Sequence, residues 1–138
     1  MQQKSKNTTA STKSLFDTSA IIAVLKKEAN YEMLEEVIGN SAITTVNLSE
    51  LVAVLARCGV IEEEINEIIK DIVPEVIPFT TEIAVHAGKL IKLTASSGLS
   101  LGDRACIATG MYYNMRIYTT DKAWLSLNLD KADIVLVR

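Results

Sequence analysis

Ser14-Leu15-Phe16-Asp17-Thr18-Ser19-Ala20-Ile21-Ile22-Ala23-Val24-Leu25-Lys26-Lys27 sets the pattern that the rest of the chain repeats. A short strand-like run, Ser14–Phe16, meets an acid directly, and a helical pattern over residues 18–27 follows it. The same alternation continues along the chain. Further strand-like runs lie at Ala42–Val46, Val76–Phe79, Arg116–Thr119 and Ile134–Val137. Helical patterns cover residues 31–38, 48–57, 61–72, 81–94 and about 102–113. Strands separated by one or two helices cannot pair as hairpins; they require crossovers and a mainly parallel sheet covered on both faces. The expected architecture is an α/β fold: a three-layer α/β/α sandwich whose mainly parallel central sheet has about five strands.

The patterns sharpen this picture. Residues 48–57 are apolar nearly all round, which predicts burial on more than one side. In 61–72 a stripe of five isoleucines is flanked by Glu62, Glu63, Glu64 and Glu67, a solvated face. Residues 1–14 are polar, carry three lysines and have no apolar period, so they are expected to form a flexible tail before a single domain over residues 15–138.

Composition bounds the function. The 138 residues are 49% hydrophobic and 22% charged, globular values with enough length for one core. No apolar stretch reaches membrane-spanning length and no leader pattern opens the chain, so a cytoplasmic protein without membrane contact is expected. A net charge of -3 gives no bulk positive field for coating nucleic acid. Cys58 and Cys106 lack CxxC spacing and sit in apolar helical stretches, which predicts buried free thiols. With His86 as the one histidine, zinc and histidine-pair chemistries are poorly supported, and hydrolytic chemistry would rest on carboxylates, hydroxyls or a metal they hold.

In open parallel sheets, reactive groups collect beyond the carboxyl ends of strands and at adjoining helix starts. Four acids fall there: Asp17 and Asp121 directly after the first and fourth strand runs, Glu50 and Asp103 in the first turns of predicted helices. Each has a bland reading. Asp17 and Asp121 suit helix N-caps; Ser100-Leu101-Gly102-Asp103 reads as a capping box, and Asn47-Leu48-Ser49-Glu50 resembles one with Asn as the cap. Capping does not require convergence, however, and this topology brings all four together. Without them the rest of the chain would carry +1. Two like charges about 4 Å apart repel by about 4 kcal/mol at an effective dielectric near 20, so a tight group calls for a cation. Oxygen-only ligands suit Mg2+ or Mn2+.

Four motifs in order then match a known family. Phe16-Asp17-Thr18-Ser19-Ala20-Ile21, Asn47-Leu48-Ser49-Glu50, Leu99-Ser100-Leu101-Gly102-Asp103-Arg104-Ala105-Cys106-Ile107-Ala108 and Thr119-Thr120-Asp121-Lys122-Ala123-Trp124 together resemble the PIN-domain nucleases, most closely the VapC-type ribonuclease toxins of toxin–antitoxin pairs. The resemblance runs from about Leu15 to Arg138. It implies an endoribonuclease using Mg2+, with Mn2+ able to substitute, usually a homodimer and inhibited by a cognate antitoxin protein. It further implies that Asp17, Glu50, Asp103 and Asp121 are the catalytic and metal-binding acids and that Thr119 supports them. The tail before Leu15 departs from the family pattern, in which the first strand begins almost at the initiating Met.

Arg104 and Lys122, each adjacent to a site acid, and Lys26 and Lys27 are candidate contacts to RNA phosphates, with ordinary surface charge as the alternative. Two rival classes remain. A phosphoryl-accepting receiver domain needs an Asp at the end of its third strand, where this chain has Ile77-Pro78-Phe79-Thr80. A catalytically silent PIN-like module that binds RNA or protein would have no need to keep all four acids.

Overall fold

The computed structural model describes residues 13–73 and 75–137. Five strands, β1 (Ser14–Phe16), β2 (Ser41–Thr44), β3 (Val76–Ile77), β4 (Arg116–Thr119) and β5 (Asp133–Leu136), form one sheet in the order β3-β2-β1-β4-β5. Every neighbouring pair is parallel. The helices are α1 (Thr18–Lys26), α2 (Tyr31–Ile38), α3 (Thr45–Arg57), α4 (Glu62–Ile72), α5 (Thr81–Lys89), α6 (Ile91–Thr94) and α7 (Leu101–Tyr113), with short 3₁₀ turns at Ala95–Ser97 and Lys122–Ser126. Of the tail expected over residues 1–14, residues 1–12 lie outside the described residues, and Ser14 is the buried first residue of β1.

Strand side chains alternate between two cores, as the period of two requires. Leu15, Ala42 and Ile117 face a core shared with Ile83 and Ala87 of α5 and Cys106, Ile107 and Ala108 of α7. Phe16 and Ile43 face the opposite core, with Ala20 and Ile21 of α1, Leu34 of α2 and Leu51 of α3. Helices therefore cover both faces, and the three-layer parallel architecture is the one expected. Trp124 is buried in the first core and anchors the turn after β4. No helix among the described residues is long and apolar enough to cross a membrane.

Several local expectations are corrected. The strand expected at Ala42–Val46 stops at Thr44, because the Thr44 hydroxyl accepts from the Asn47 amide and starts α3 three residues early. Asn47 is thus inside the helix rather than its cap, and Glu50 sits in the second turn instead of the first. α3 is not enclosed on several sides: Asn47 and Leu51 are its buried residues, while Val52, Val54 and Leu55 are half-buried and Ala53 is exposed. Cys58 is exposed, since it caps the C-terminus of α3 beyond the packed face; Cys106 is buried as expected. The helix expected over 81–94 breaks at Leu90, which ends α5 and opens α6.

Candidate active site

The sheet order reverses across β1. β2 and β3 extend to one side of it and β4 and β5 to the other, so the carboxyl ends of β1 and β4 border the crevice where ligands bind in open parallel sheets. The register pairs Phe16 with Tyr118, and the Asp17 amide donates to the Tyr118 carbonyl at 3.2 Å. Asp17 and Thr119 are therefore neighbours at the end of the sheet.

Asp17 is 3% exposed, and each carboxylate oxygen is held. Oδ2 accepts from the Thr119 hydroxyl at 2.6 Å; Oδ1 accepts from the Ser19 hydroxyl at 2.7 Å and, as the N-cap of α1, from the Ala20 amide at 2.9 Å. Burial raises its pKa to about 6, against the lowering effect of those three donors; the charge on Asp103 adds to the rise. Both supporting hydroxyls also reach the strand end. Thr119 Oγ1 accepts from the Asp121 amide at 3.1 Å, and Ser19 Oγ accepts from the Thr120 amide at 3.0 Å.

Glu50 is fixed from the other wall. Its Oε1 accepts from Thr18 Oγ1 and from Asn47 Nδ2, both at 2.9 Å. Asn47, 1% exposed, also donates to the Gly102 carbonyl at 3.2 Å and accepts from the Thr44 hydroxyl at 2.8 Å. This amide ties α3 to the first turn of α7, which carries Asp103. Glycine at 102 leaves room for the Glu50 carboxylate at that contact, which a Cβ would displace.

Asp103 closes the capping box of α7: its Oδ2 accepts from the Ser100 amide at 2.9 Å while the Ser100 hydroxyl accepts from the Asp103 amide. Its pKa is raised by burial, with further contributions from the charges of Asp121 and Glu50. Asp121 caps the turn after β4, accepting from the Ala123 amide at 2.9 Å. Three of the four acids are caps, as the bland reading has it, yet Asp17, Glu50, Asp103 and Asp121 line one cleft of about 400 Å³. Capping and convergence coexist here.

Among the described residues no three acidic, histidine or cysteine side chains close on one point as a ready-made metal cluster. The donor set is nonetheless oxygen-only, buried at Asp17 and mutually repulsive at Asp103. That suits Mg2+, which binds through one or two carboxylates and keeps waters and substrate oxygens for its remaining positions.

The basic candidates fall elsewhere. Arg104 turns toward α5, where its Nη1 donates to the Ala87 carbonyl at 3.2 Å. Lys26 and Lys27 are exposed at the C-terminal end of α1, about 12 Å along the axis from its first residue. Lys122 is exposed in the turn after Asp121 and does not line the cleft. The cation that does line it is Arg57, which the sequence reading passed over. Glu50, Ala53, Val54 and Arg57 follow the i, i+3, i+4, i+7 spacing of one helix face, the signal that identifies it. Thr18 and Ser19 join the site through hydroxyls that no sequence motif singles out, and Asn47, expected as a helix cap, instead holds Glu50.

Solved structures share this fold. A chain of VapBC2 from Rickettsia felis, solved bound to a DNA fragment from its promoter, superposes with a TM-score of 0.70 at 16% identity, covering 91% of this chain and 99% of that one. DNA-bound VapBC from Salmonella typhimurium gives 0.70 at 17% identity over 89% and 96% of the two chains. VapBC-5 from Mycobacterium tuberculosis gives 0.62 at 21% identity over 92% and 98%. At these identities the likeness is one of fold. No curated protein matches the chain in sequence. The family model of the PIN domain matches residues 14–128, a span that holds every strand but β5 and all four cleft acids, and the chain therefore belongs to the PIN-domain family.

Proposed function

We propose that the protein is a divalent-metal-dependent endoribonuclease that hydrolyses RNA phosphodiester bonds, acting as the toxin of a toxin–antitoxin pair. The observation that carries this reading is the convergence of Asp17, Glu50, Asp103 and Asp121, from four separate segments, on one cleft at the switch point of the sheet. Membership of the PIN family and a fold shared with chains of VapBC complexes support it.

Asp17 and Asp103 would hold a Mg2+ or Mn2+ ion, with Glu50 and Asp121 assisting directly or through water. The ion, when bound, supplies an acidified water and neutralises the non-bridging phosphate oxygens. The chain's own residues do the rest. Thr119 and Ser19 hold both oxygens of Asp17, so this carboxylate enters the cycle in one orientation. Thr18 and Asn47 pin one oxygen of Glu50 and leave the carboxylate directed across Gly102 toward the start of α7. A half-buried carboxylate at the rim takes the proton of the attacking water.

The partners that follow are an RNA substrate, a cognate antitoxin protein and a second copy of the chain in a homodimer. The place of action is the cytoplasm. Induction of the chain in cells, followed by sequencing of RNA ends, tests the reading. New cleavage ends should appear and should be suppressed when the antitoxin is co-expressed. Unchanged RNA ends would contradict it.

A further inference from the structure

Arg57 lies on the wall of the acidic cleft, seven residues and about 10 Å along the α3 axis from Glu50. It is the one basic residue among those lining the cleft, and its side chain makes no hydrogen bond or ion pair among the described residues. Along the cleft face of α3, Ala53 and Val54 lie between Glu50 and Arg57, and Ile22 of α1 adds a third apolar side chain to the lining. That face therefore runs from a carboxylate through two apolar residues to a guanidinium.

A polyanion entering a cleft with four carboxylates meets repulsion everywhere except at a bound cation and at Arg57. Two helical turns of α3 separate Arg57 from Glu50, so the guanidinium starts from a different place along the cleft than the acids do. A phosphate further along the same strand is within its range. The intervening apolar strip matches the face of an unpaired base or its sugar, and a cleft of about 400 Å³ has the volume of a small-ligand pocket. Guanidinium groups bind phosphate oxygens through paired N–H donors, which the compact ammonium of lysine cannot reproduce.

We infer that Arg57, with Ile22, Ala53 and Val54, forms a subsite for the nucleotide flanking the scissile bond of single-stranded RNA, the guanidinium holding the neighbouring phosphate. This rests on the nuclease reading above and assigns Arg57 to substrate register rather than to the reacting centre.

The test measures binding of a labelled single-stranded oligoribonucleotide to the full chain carrying Asp17→Asn, with and without Arg57→Gln, across a salt series. Arg57→Gln should weaken binding about tenfold, the scale of one lost charged hydrogen bond. It should also flatten the slope of log K against log salt by about 0.7, the value for one phosphate contact on a single strand. Arg57→Lys should keep the slope and lose part of the affinity. In the otherwise native chain with Mg2+, Arg57→Gln should raise KM and leave kcat within about twofold of the parent, because a contact made equally in the ground and transition states affects binding alone. Unchanged affinity and slope would overturn the assignment, and so would a loss of kcat at unchanged KM. If the native chain cuts no RNA, the nuclease reading fails, while the salt slope still decides whether Arg57 holds a phosphate. Absence of RNA binding altogether would overturn both.

Discussion

The Thr119 hydroxyl donates to Asp17 Oδ2 at 2.6 Å and accepts from the Asp121 amide at 3.1 Å, so one side chain joins the acids that follow β1 and β4. Residues 102 positions apart are locked at the sheet end through an oxygen that is fully buried. Thr119→Val keeps the shape and removes the oxygen. It should cost about 1–3 kcal/mol in stability, because a buried carboxylate oxygen loses its donor. It should also raise the Asp17 pKa above its present value of about 6 and move the acidic limb of the pH–activity profile upward. Thr119→Ser should restore both. A profile unchanged in Thr119→Val would show that the bond does not tune Asp17.

Asp17 itself predicts a pH dependence of folding. Its pKa rises from 3.8 to about 6 on folding, so between these values the native state binds more protons than the unfolded chain. The contribution to stability is complete below pH about 4 and is lost as pH rises through 6. The shift corresponds to about 3 kcal/mol at pH 8 without divalent ions. Asp17→Asn mimics the protonated acid, so in chelator it should melt higher than the parent at pH 8 and converge with it near pH 4. Added Mg2+ should raise the melting temperature of the parent more than that of the variant. Thermal scans at the two pH values decide the matter, and a variant that melts lower than the parent at pH 8 would contradict the assigned shift.

Gly102→Ala tests the wall shared by α3 and α7. The added methyl overlaps the Glu50 carboxylate, whose Oε1 is already held by Thr18 and Asn47, so the acid must swing away. Helix propensity favours alanine by about 0.5–1 kcal/mol, which offsets part of the clash. Cleavage should fall at least tenfold while the melting temperature changes by only a few degrees. Retained cleavage would mean that Glu50 has no fixed role.

Arg104→Gln should behave as a structural change. It removes the charged donor to the Ala87 carbonyl that links α7 to α5, and a cost of about 1 kcal/mol is expected. RNA affinity and its salt slope should stay at parental values, in contrast to Arg57→Gln. A flattened slope in Arg104→Gln would return this residue to the RNA surface.

The sheet and the four acids were legible in the sequence for a physical reason. Leu15-Phe16 and Ile117-Tyr118 place one residue in each core, and each apolar pair is followed within three residues by an acid, so Asp17 and Asp121 mark the two strand ends. What was not legible depended on contacts across the chain. Thr44 rather than Asn47 caps α3, because Asn47 is drawn inside to bridge Glu50 and Gly102, a choice set by residues 55 positions away. Adjacency to an acid suggested Arg104 and Lys122 as phosphate contacts. A helix sends neighbouring side chains in different directions, and Arg57, two turns from Glu50, is the cation that shares its face.

Turnover of a labelled RNA by the purified parent and by a folded Asp17→Asn variant, in Mg2+, in chelator and after Mg2+ is restored, decides the claim that the cleft acids act together to cut RNA with a divalent ion. Cleavage by the parent should stop on chelation and return with Mg2+, and the variant should cut nothing. Cleavage by Asp17→Asn at the parental rate would contradict the claim.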